Sequence, residues 1–200
     1  IASTVLPTVI AEFSKKYSDI KIQIFDEMAD RLYQRVLNNE VDLMVGPISP
    51  RRNELEFLHL FNDQYVVILP GDHPLVGKKT VTIKDIAKYP LLLLTSPTNV
   101  RIVLEKAFAD AGHTFNPVFE AINPGTIGGM IDKGLGITAL PEMIMPTILR
   151  PNLKLIAISR PRINREIGML TRRGETLSPA ALEFSKTLRK VVELEFGSTK

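Results

Sequence analysis

Hydroxyl and carboxamide side chains recur at three turns where a helix is predicted to begin. These turns are Ser3-Thr4, Thr95-Ser96 with Thr98-Asn99, and Asn123 with Thr126. Each places side-chain donors beside the first backbone N–H groups of a helix, which have no partner within the helix. A helix N-terminus favours a nearby anion by ~0.3–1 kcal/mol, and each charge-assisted hydrogen bond adds ~1.5–3 kcal/mol. Three or four such bonds suffice for a micromolar complex of about 8 kcal/mol.

Helix capping is the competing explanation, because Ser, Thr and Asn are preferred at N-caps whatever a protein does. Taken one at a time, each turn is better explained by capping than by a ligand. Thr95 and Asn123, however, follow predicted strands, and ligands of open α/β sheets bind at the carboxyl ends of strands. Those two turns are therefore the stronger candidates for a binding site.

The sequence shows no pattern that is typical of a catalytic or metal centre. It contains no cysteine, which excludes disulfides and thiolate metal sites. Its three histidines are far apart in the sequence, and it has no G-x-S-x-G, H-E-x-x-H or P-loop pattern. Gly125, Gly128 and Gly129 miss the dinucleotide-binding spacing. We therefore predict a binding protein without cofactor, metal or catalysis.

Composition indicates a globular chain with no membrane-spanning segment. Of its 200 residues 44% are hydrophobic, enough for one large domain or two small ones, and its apolar runs are too short to cross a bilayer. No leader-like segment follows Ile1. The lack of cysteine fits a reducing compartment and also many periplasmic proteins. The net charge is only +3, so we interpret the arginines at 160, 162, 165, 172 and 173 as a solvated edge rather than a nucleic-acid surface.

Helix and strand patterns alternate along the chain, which predicts an α/β fold. In the first part we expect helices near residues 5–17 and 28–37 and strands at 20–24, 41–46, 55–60 and 65–69. We interpret Asp26-Glu27 as the acidic start of the second helix and Asn62-Asp63 as a turn.

After a break at residues 70–74 a second series begins. Here we expect helices near 82–88, 100–111 and 124–133, with strands at 91–94, 118–122, 137–140, 153–158 and 166–171. A terminal helix capped by Ser178 suggests that the chain returns to the first lobe. The predicted lobes are residues 1–70 plus 173–200 and residues 71–172, with two crossing segments and a cleft between them.

Several short motifs, in this order, carry a resemblance to a known family. They are Leu6-Pro7 with Phe13 and Tyr17, Leu37 followed by the strand at 41–45, Asp72-His73-Pro74-Leu75, and the stretch 133–137 with Leu140-Pro141. With these motifs the chain resembles the effector-binding domain of LysR-type transcriptional regulators over essentially its whole length. Ser18 replaces a proline that is usual in the family.

The resemblance implies a two-lobed, periplasmic-binding-protein-like fold that binds a small, often anionic effector in its cleft. The effector would contact Ser3-Thr4 and Gly46-Pro47 in the first lobe, and Thr95, Ser96, Thr98, Asn99, Asn123 and Thr126 in the second. The family further implies a cytoplasmic homodimer, a homotetramer of the full-length protein, and DNA contact only through an N-terminal winged helix-turn-helix. In this family a strand precedes the first helix, and the sequence from Ile1 does not include it. We expect the whole protein to have this strand upstream of Ile1, because a lobe without it would expose two sheet edges.

Two other classes of protein remain open at this point. A solute-binding protein of a transporter shares the fold, and upstream sequence would distinguish it by a leader peptide instead of a winged helix. An enzyme on the same architecture would need an acid, a base or a phosphate-binding loop in the cleft, and the sequence shows none of these.

Overall fold

The structure is a mixed α/β fold in which helices and strands alternate along the chain. The computed structural model describes residues 1–48, 53–95 and 99–197, apart from the side chain of Asn99. In chain order the elements are α1 (Val5–Ser14), α2 (Ala29–Leu37), β1 (Met44–Pro47), β2 (Leu55–Pro70), β3 (Thr80–Val81), α3 (Ile83–Ile86), β4 (Leu91–Leu94), α4 (Asn99–Asp110), β5 (Pro117–Ala121), α5 (Pro124–Asp132), β6 (Thr138–Pro141), a 3-10 turn (Glu142–Ile144), α6 (Met145–Ile148), β7 (Leu153–Ile158), β8 (Asn164–Arg172) and α7 (Pro179–Phe196).

The chain divides into two compact units. The first comprises Ile1–Asn62 and Glu166–Lys200, and the second comprises Asp63–Arg165. Strands β2 and β8 each contain a boundary between the units. The chain therefore leaves the first unit along β2 and returns to it along β8.

The first unit pairs β1 with β8 and packs α1 against α7. β1 and β8 are antiparallel, with Met44 opposite Leu170. Val9 and Phe13 are buried on one face of α1, where the Phe13 ring meets the edge of Phe184 of α7 at 5.3 Å between centroids. The predicted apolar stripe of the first helix is confirmed at these positions.

The second unit contains two groups of strands around one apolar core. The second half of β2 pairs antiparallel with β6 and with β7, and β7 continues to β3. β4 pairs in parallel with β5, and all four leucines of β4 are buried. Leu104 and Phe108 on α4 belong to the same core. The fully apolar sequence of β4 is typical of a strand that is covered on both faces.

The strand predicted at residues 20–24 is absent. Ile20 and Ile24 are 36% and 49% exposed, although the sequence alternates as a strand would. A strand is stable only when its backbone groups pair with a neighbour, and within the described ranges β1 pairs with β8 alone. The alternation was therefore necessary for a strand but not sufficient.

The start of the second helix also differs from the prediction. Met28 occupies the N-cap of α2, without a side-chain hydrogen bond. Glu27 instead forms an ion pair with Arg35 at 2.7 Å, and the Arg35 guanidinium lies 4.3 Å from the centroid of the Phe25 ring. Residues 25–27 are thus held against α2 by one arginine rather than by capping.

Gly128 allows α5 and α6 to approach closely. A Cβ at this position would overlap the carbonyl oxygen of Ile148 and lie 2.9 Å from its Cγ1. At the neighbouring Gly129 the nearest atom is Nη2 of the flexible Arg150 side chain, at 3.4 Å. Helix packing therefore requires glycine at position 128, whereas position 129 lies at the surface.

Gly128→Ala should lower the free energy of unfolding by about 1–3 kcal/mol, because the new methyl group overlaps a backbone carbonyl that cannot rotate away. Gly129→Ala is the matched control and should be neutral or stabilise by up to about 1 kcal/mol, since alanine is the better helix former. Urea unfolding of both variants measures the difference. Equal stability of the two variants would contradict the close contact.

Candidate functional site

Thr95 and Asn123 lie at the same edge of a parallel strand pair. Leu94 at the end of β4 stands opposite Ala121 at the end of β5. The Thr95 N–H donates to the Ala121 carbonyl at 3.0 Å. The prediction that both turns follow strands is confirmed, and the structure brings them together at the carboxyl ends where α/β proteins bind ligands.

Asn123 caps α5 and still presents a free donor. Its Oδ1 accepts from the Gly125 N–H at 2.7 Å, and its backbone carbonyl accepts from the Thr126 N–H at 3.0 Å. Its Nδ2 group has no protein partner among the described residues. Asn123 and Thr126 are both exposed. Capping therefore explains one half of the Asn123 carboxamide and leaves the other half available to a ligand.

The turn before α4 is described only in part. Thr95 is half-buried, and α4 begins at Asn99. Ser96 and Thr98 lie outside the described residues.

At the start of α1 several donors converge on one oxygen. The Ile1 carbonyl accepts from the N–H groups of Thr4, Val5 and Leu6 at 3.0–3.2 Å, and the Thr4 hydroxyl lies 3.4 Å away. Thr4 makes no side-chain cap bond, and Ser3 is exposed. A carbonyl oxygen has two lone pairs, so these four donors share two acceptor positions. The amides that the sequence predicts to be spare are thus engaged by the Ile1 carbonyl.

Gly46 and Pro47 form the buried end of β1. The Pro47 carbonyl accepts from the Tyr33 hydroxyl at 2.8 Å, so α2 fixes this end of the strand. Like Ser3 and Thr4, both residues belong to the first unit, whereas Thr95, Asn123 and Thr126 belong to the second.

Sequence reasoning missed a buried ion pair in the second unit. Asp63 is part of the continuous strand β2, and its side chain is 1% exposed. Its Oδ2 accepts from Nε and Nη2 of Arg165 at 2.9 and 2.7 Å, and its Oδ1 accepts from the Met143 N–H at 3.1 Å. The predicted turn at Asn62-Asp63 is therefore wrong, and so is the solvated position of Arg165. Asn and Asp are both common in turns, so no local signal distinguished this strand from a turn.

Tyr65 adds a polar atom to this buried region. Its side chain follows that of Asp63 on the same face of β2, and its hydroxyl has no hydrogen-bond partner within the described part of the chain. Burial raises the pKa of Tyr65 above its usual value, and nearby Arg165 only partly opposes this. Burial therefore favours the protonated form of the phenol.

An open groove lies along α5 in the second unit. Its volume is about 610 Å³, and its lining residues are Asn123, Gly125, Thr126, Gly129, Met130, Lys133, Leu135 and Arg150. Its volume falls within the range of small-molecule sites. We call it the α5 groove.

The histidines and carboxylates form no metal centre in the parts of the chain that are described. His73 instead stabilises the turn after β2, where its Nδ1 accepts from the Leu75 N–H at 3.2 Å and its ring meets Tyr89. Burial lowers the pKa of His73. Among the described helices, none has the length and apolar character needed to span a membrane.

Comparison with known families gives one match over nearly the whole chain. The model of the LysR substrate binding domain matches residues 1–193. The HTH-type transcriptional regulator YbhD of Escherichia coli K12 is 30% identical over 179 residues, which cover 90% of this chain and 56% of YbhD. The chain thus spans a little over half the length of this curated relative.

Solved structures share the fold. The regulatory domain of Synechocystis PCC6803 CcmR, in complex with 2-PG, has a TM-score of 0.87 and 23% identity, and the match covers 97% of this chain and 94% of that one. The effector-binding domain of QuiR, in complex with shikimate, has a TM-score of 0.85 and 20% identity, with 96% and 92% covered. These matches confirm the predicted two-lobed, periplasmic-binding-protein-like fold class.

Arg165→Met should lower the free energy of unfolding by about 3–5 kcal/mol, because it leaves the Asp63 carboxylate buried without its partner. Arg162→Met removes the same charge from an exposed position and should change stability by no more than about 0.5 kcal/mol. Urea unfolding measures both. Similar small losses in the two variants would show that the Asp63 carboxylate does not depend on Arg165.

Proposed function

The chain belongs to the LysR substrate-binding domain family, and we propose that it is the effector-sensing module of a cytoplasmic transcription regulator that binds a small anion and catalyses no reaction. The observation that carries this proposal is the family match over residues 1–193. The regulator YbhD, which matches 90% of the chain, supports it. The small molecules bound to the similarly folded domains of QuiR and CcmR support a small effector.

The proposed effector site joins the polar turns of both units across the predicted cleft. Its residues are Ser3, Thr4, Gly46, Pro47, Thr95, Ser96, Thr98, Asn99, Asn123 and Thr126. At α1 the donors already bond the Ile1 carbonyl, so an anionic effector would have to displace it. A full negative charge accepts from such donors more strongly than a neutral carbonyl does. The free Nδ2 group of Asn123 supplies a donor from the second unit.

The proposed signal is a change in the angle between the two lobes, 1–70 with 173–200 and 71–172, or between subunits. A ligand shifts such an equilibrium only by the difference in its affinity for the two states. The proposed effector therefore binds one of the two states more tightly than the other. DNA contact would come from an N-terminal winged helix-turn-helix outside this chain.

We further propose that this domain forms a homodimer, and that the full-length protein forms a homotetramer. In the described ranges β5 pairs only with β4, so its other edge is open. Phe119 and Ile122 at this edge are 45% and 80% exposed, and Ile102 on α4 is 61% exposed. An open edge with large apolar side chains favours pairing with a second chain.

The alternative of a transporter's solute-binding protein is less well supported than the regulator, because the relative YbhD is a transcriptional regulator. A regulator module and a solute-binding protein use the same fold, so the fold itself does not choose between them.

The effector site can be tested with a thermal-shift screen of small organic acids, since a ligand of the folded state raises the melting temperature. For the strongest hit, Thr4→Val and Ser96→Ala should each weaken binding about tenfold, the loss of one charge-assisted hydrogen bond. Calorimetry measures the affinities. Thr8→Val, on the exposed face of α1, is the control and should bind normally. Unchanged affinity in both site variants would remove this site assignment.

Phe119→Asp should convert the dimer to a monomer, because it places a charge at the apolar edge of β5. Leu194→Asp alters a residue that is 73% exposed on α7 and should leave the dimer intact. Size-exclusion chromatography with light scattering gives the mass of each. A Phe119→Asp variant that remains dimeric would place the interface elsewhere.

A further inference from the structure

The α5 groove carries two positive charges and no negative one. Lys133 and Arg150 are its only charged lining residues. Neither forms an ion pair with a carboxylate within the described ranges. A groove lined by charges of one sign attracts ligands of the opposite sign, here an anion.

The position of Arg150 is fixed by α5 itself. Its Nη2 donates to the Gly125 carbonyl at 3.1 Å. The guanidinium then passes over Gly129, where a Cβ would lie 3.4 Å from Nη2. The guanidinium therefore lies against the surface of α5 at Gly129.

Lys133 lines the groove at the other end of α5. It is the C-cap residue of this helix, four residues after Gly129. Arg150 and Lys133 therefore line the same groove, with Arg150 bonded near the start of α5 and Lys133 at its C-cap.

The rest of the groove is partly apolar. Met130 is half-buried and Leu135 is 44% exposed, and both line the groove. The exposed hydroxyl of Thr126 adds a donor near the start of the helix. A ligand that fits this groove has a negatively charged group, which contacts Lys133 and Arg150, and a short carbon chain, which contacts Met130 and Leu135.

We propose that the α5 groove is a second ligand site, which binds a small aliphatic carboxylate through Lys133 and Arg150. This inference goes beyond the proposed effector site, because neither cation belongs to that site and every lining residue comes from the second unit. Asn123 and Thr126 belong to both proposed sites, so a ligand bound at one site would change binding at the other.

The test is a titration of the ¹⁵N-labelled chain with hexanoate, followed by amide chemical shifts. Shifts should move at Gly125, Gly129 and Leu135 and not at Thr4. Lys133→Gln with Arg150→Gln should weaken binding about tenfold or more, since charge-assisted bonds are lost. Acetate should bind more weakly than hexanoate, by up to about fourfold for each methylene that hexanoate buries.

Lys84→Gln with Arg162→Gln is the matched control, because it removes the same charge from exposed positions of the second unit. It should leave hexanoate binding unchanged. Equal weakening in the two double variants would overturn the proposal, since the protein's overall charge would then explain binding. Equal affinity for acetate and hexanoate would overturn the apolar contact.

Thr4→Val separates this site from the effector site. Hexanoate should bind this variant normally, whatever the fate of the proposed effector. Loss of hexanoate binding in Thr4→Val would place the carboxylate at α1 and overturn the second site, while leaving the proposed function intact.

Discussion

The buried ion pair between Asp63 and Arg165 supports the architecture of the second unit. It joins the first residue of this unit, on β2, to the last, on β8. Because Asp63 also accepts from the Met143 N–H, the carboxylate fixes the 3-10 turn that leads into α6. α6 in turn lies against Gly128 of α5. The buried Asp63 carboxylate thus helps to position α5, the helix that Asn123 caps.

Much of the fold could be predicted because the apolar pattern and the capping residues agree. Ser178 accepts from the Ala181 N–H at the start of α7, and Gly112, just after α4, has a φ of +73°. Patterning failed where the outcome depended on distant partners. The alternating isoleucines at 20–24 lack a paired strand, and Asp63 looked like a turn residue because nothing local reveals a guanidinium 102 residues away.

The candidate site was predictable to the same degree. Thr95 and Asn123 were identified because strand ends and helix starts are local features, and the parallel pairing of β4 with β5 brings them together. The engagement of the α1 amides by Ile1 could not be foreseen, since it depends on the path of the chain just before the helix. Arg150 was missed because no local pattern links it to α5, and only the packing around Gly129 shows that it belongs there.

The absence of a side chain at Gly128 has a mechanical consequence. At this one point the backbone of α5 lies directly against the carbonyl of Ile148, with no side chain of α5 between them. A shift of α5 at Gly128 towards α6 would therefore press on the backbone of α6 itself, where no rotamer change can absorb it.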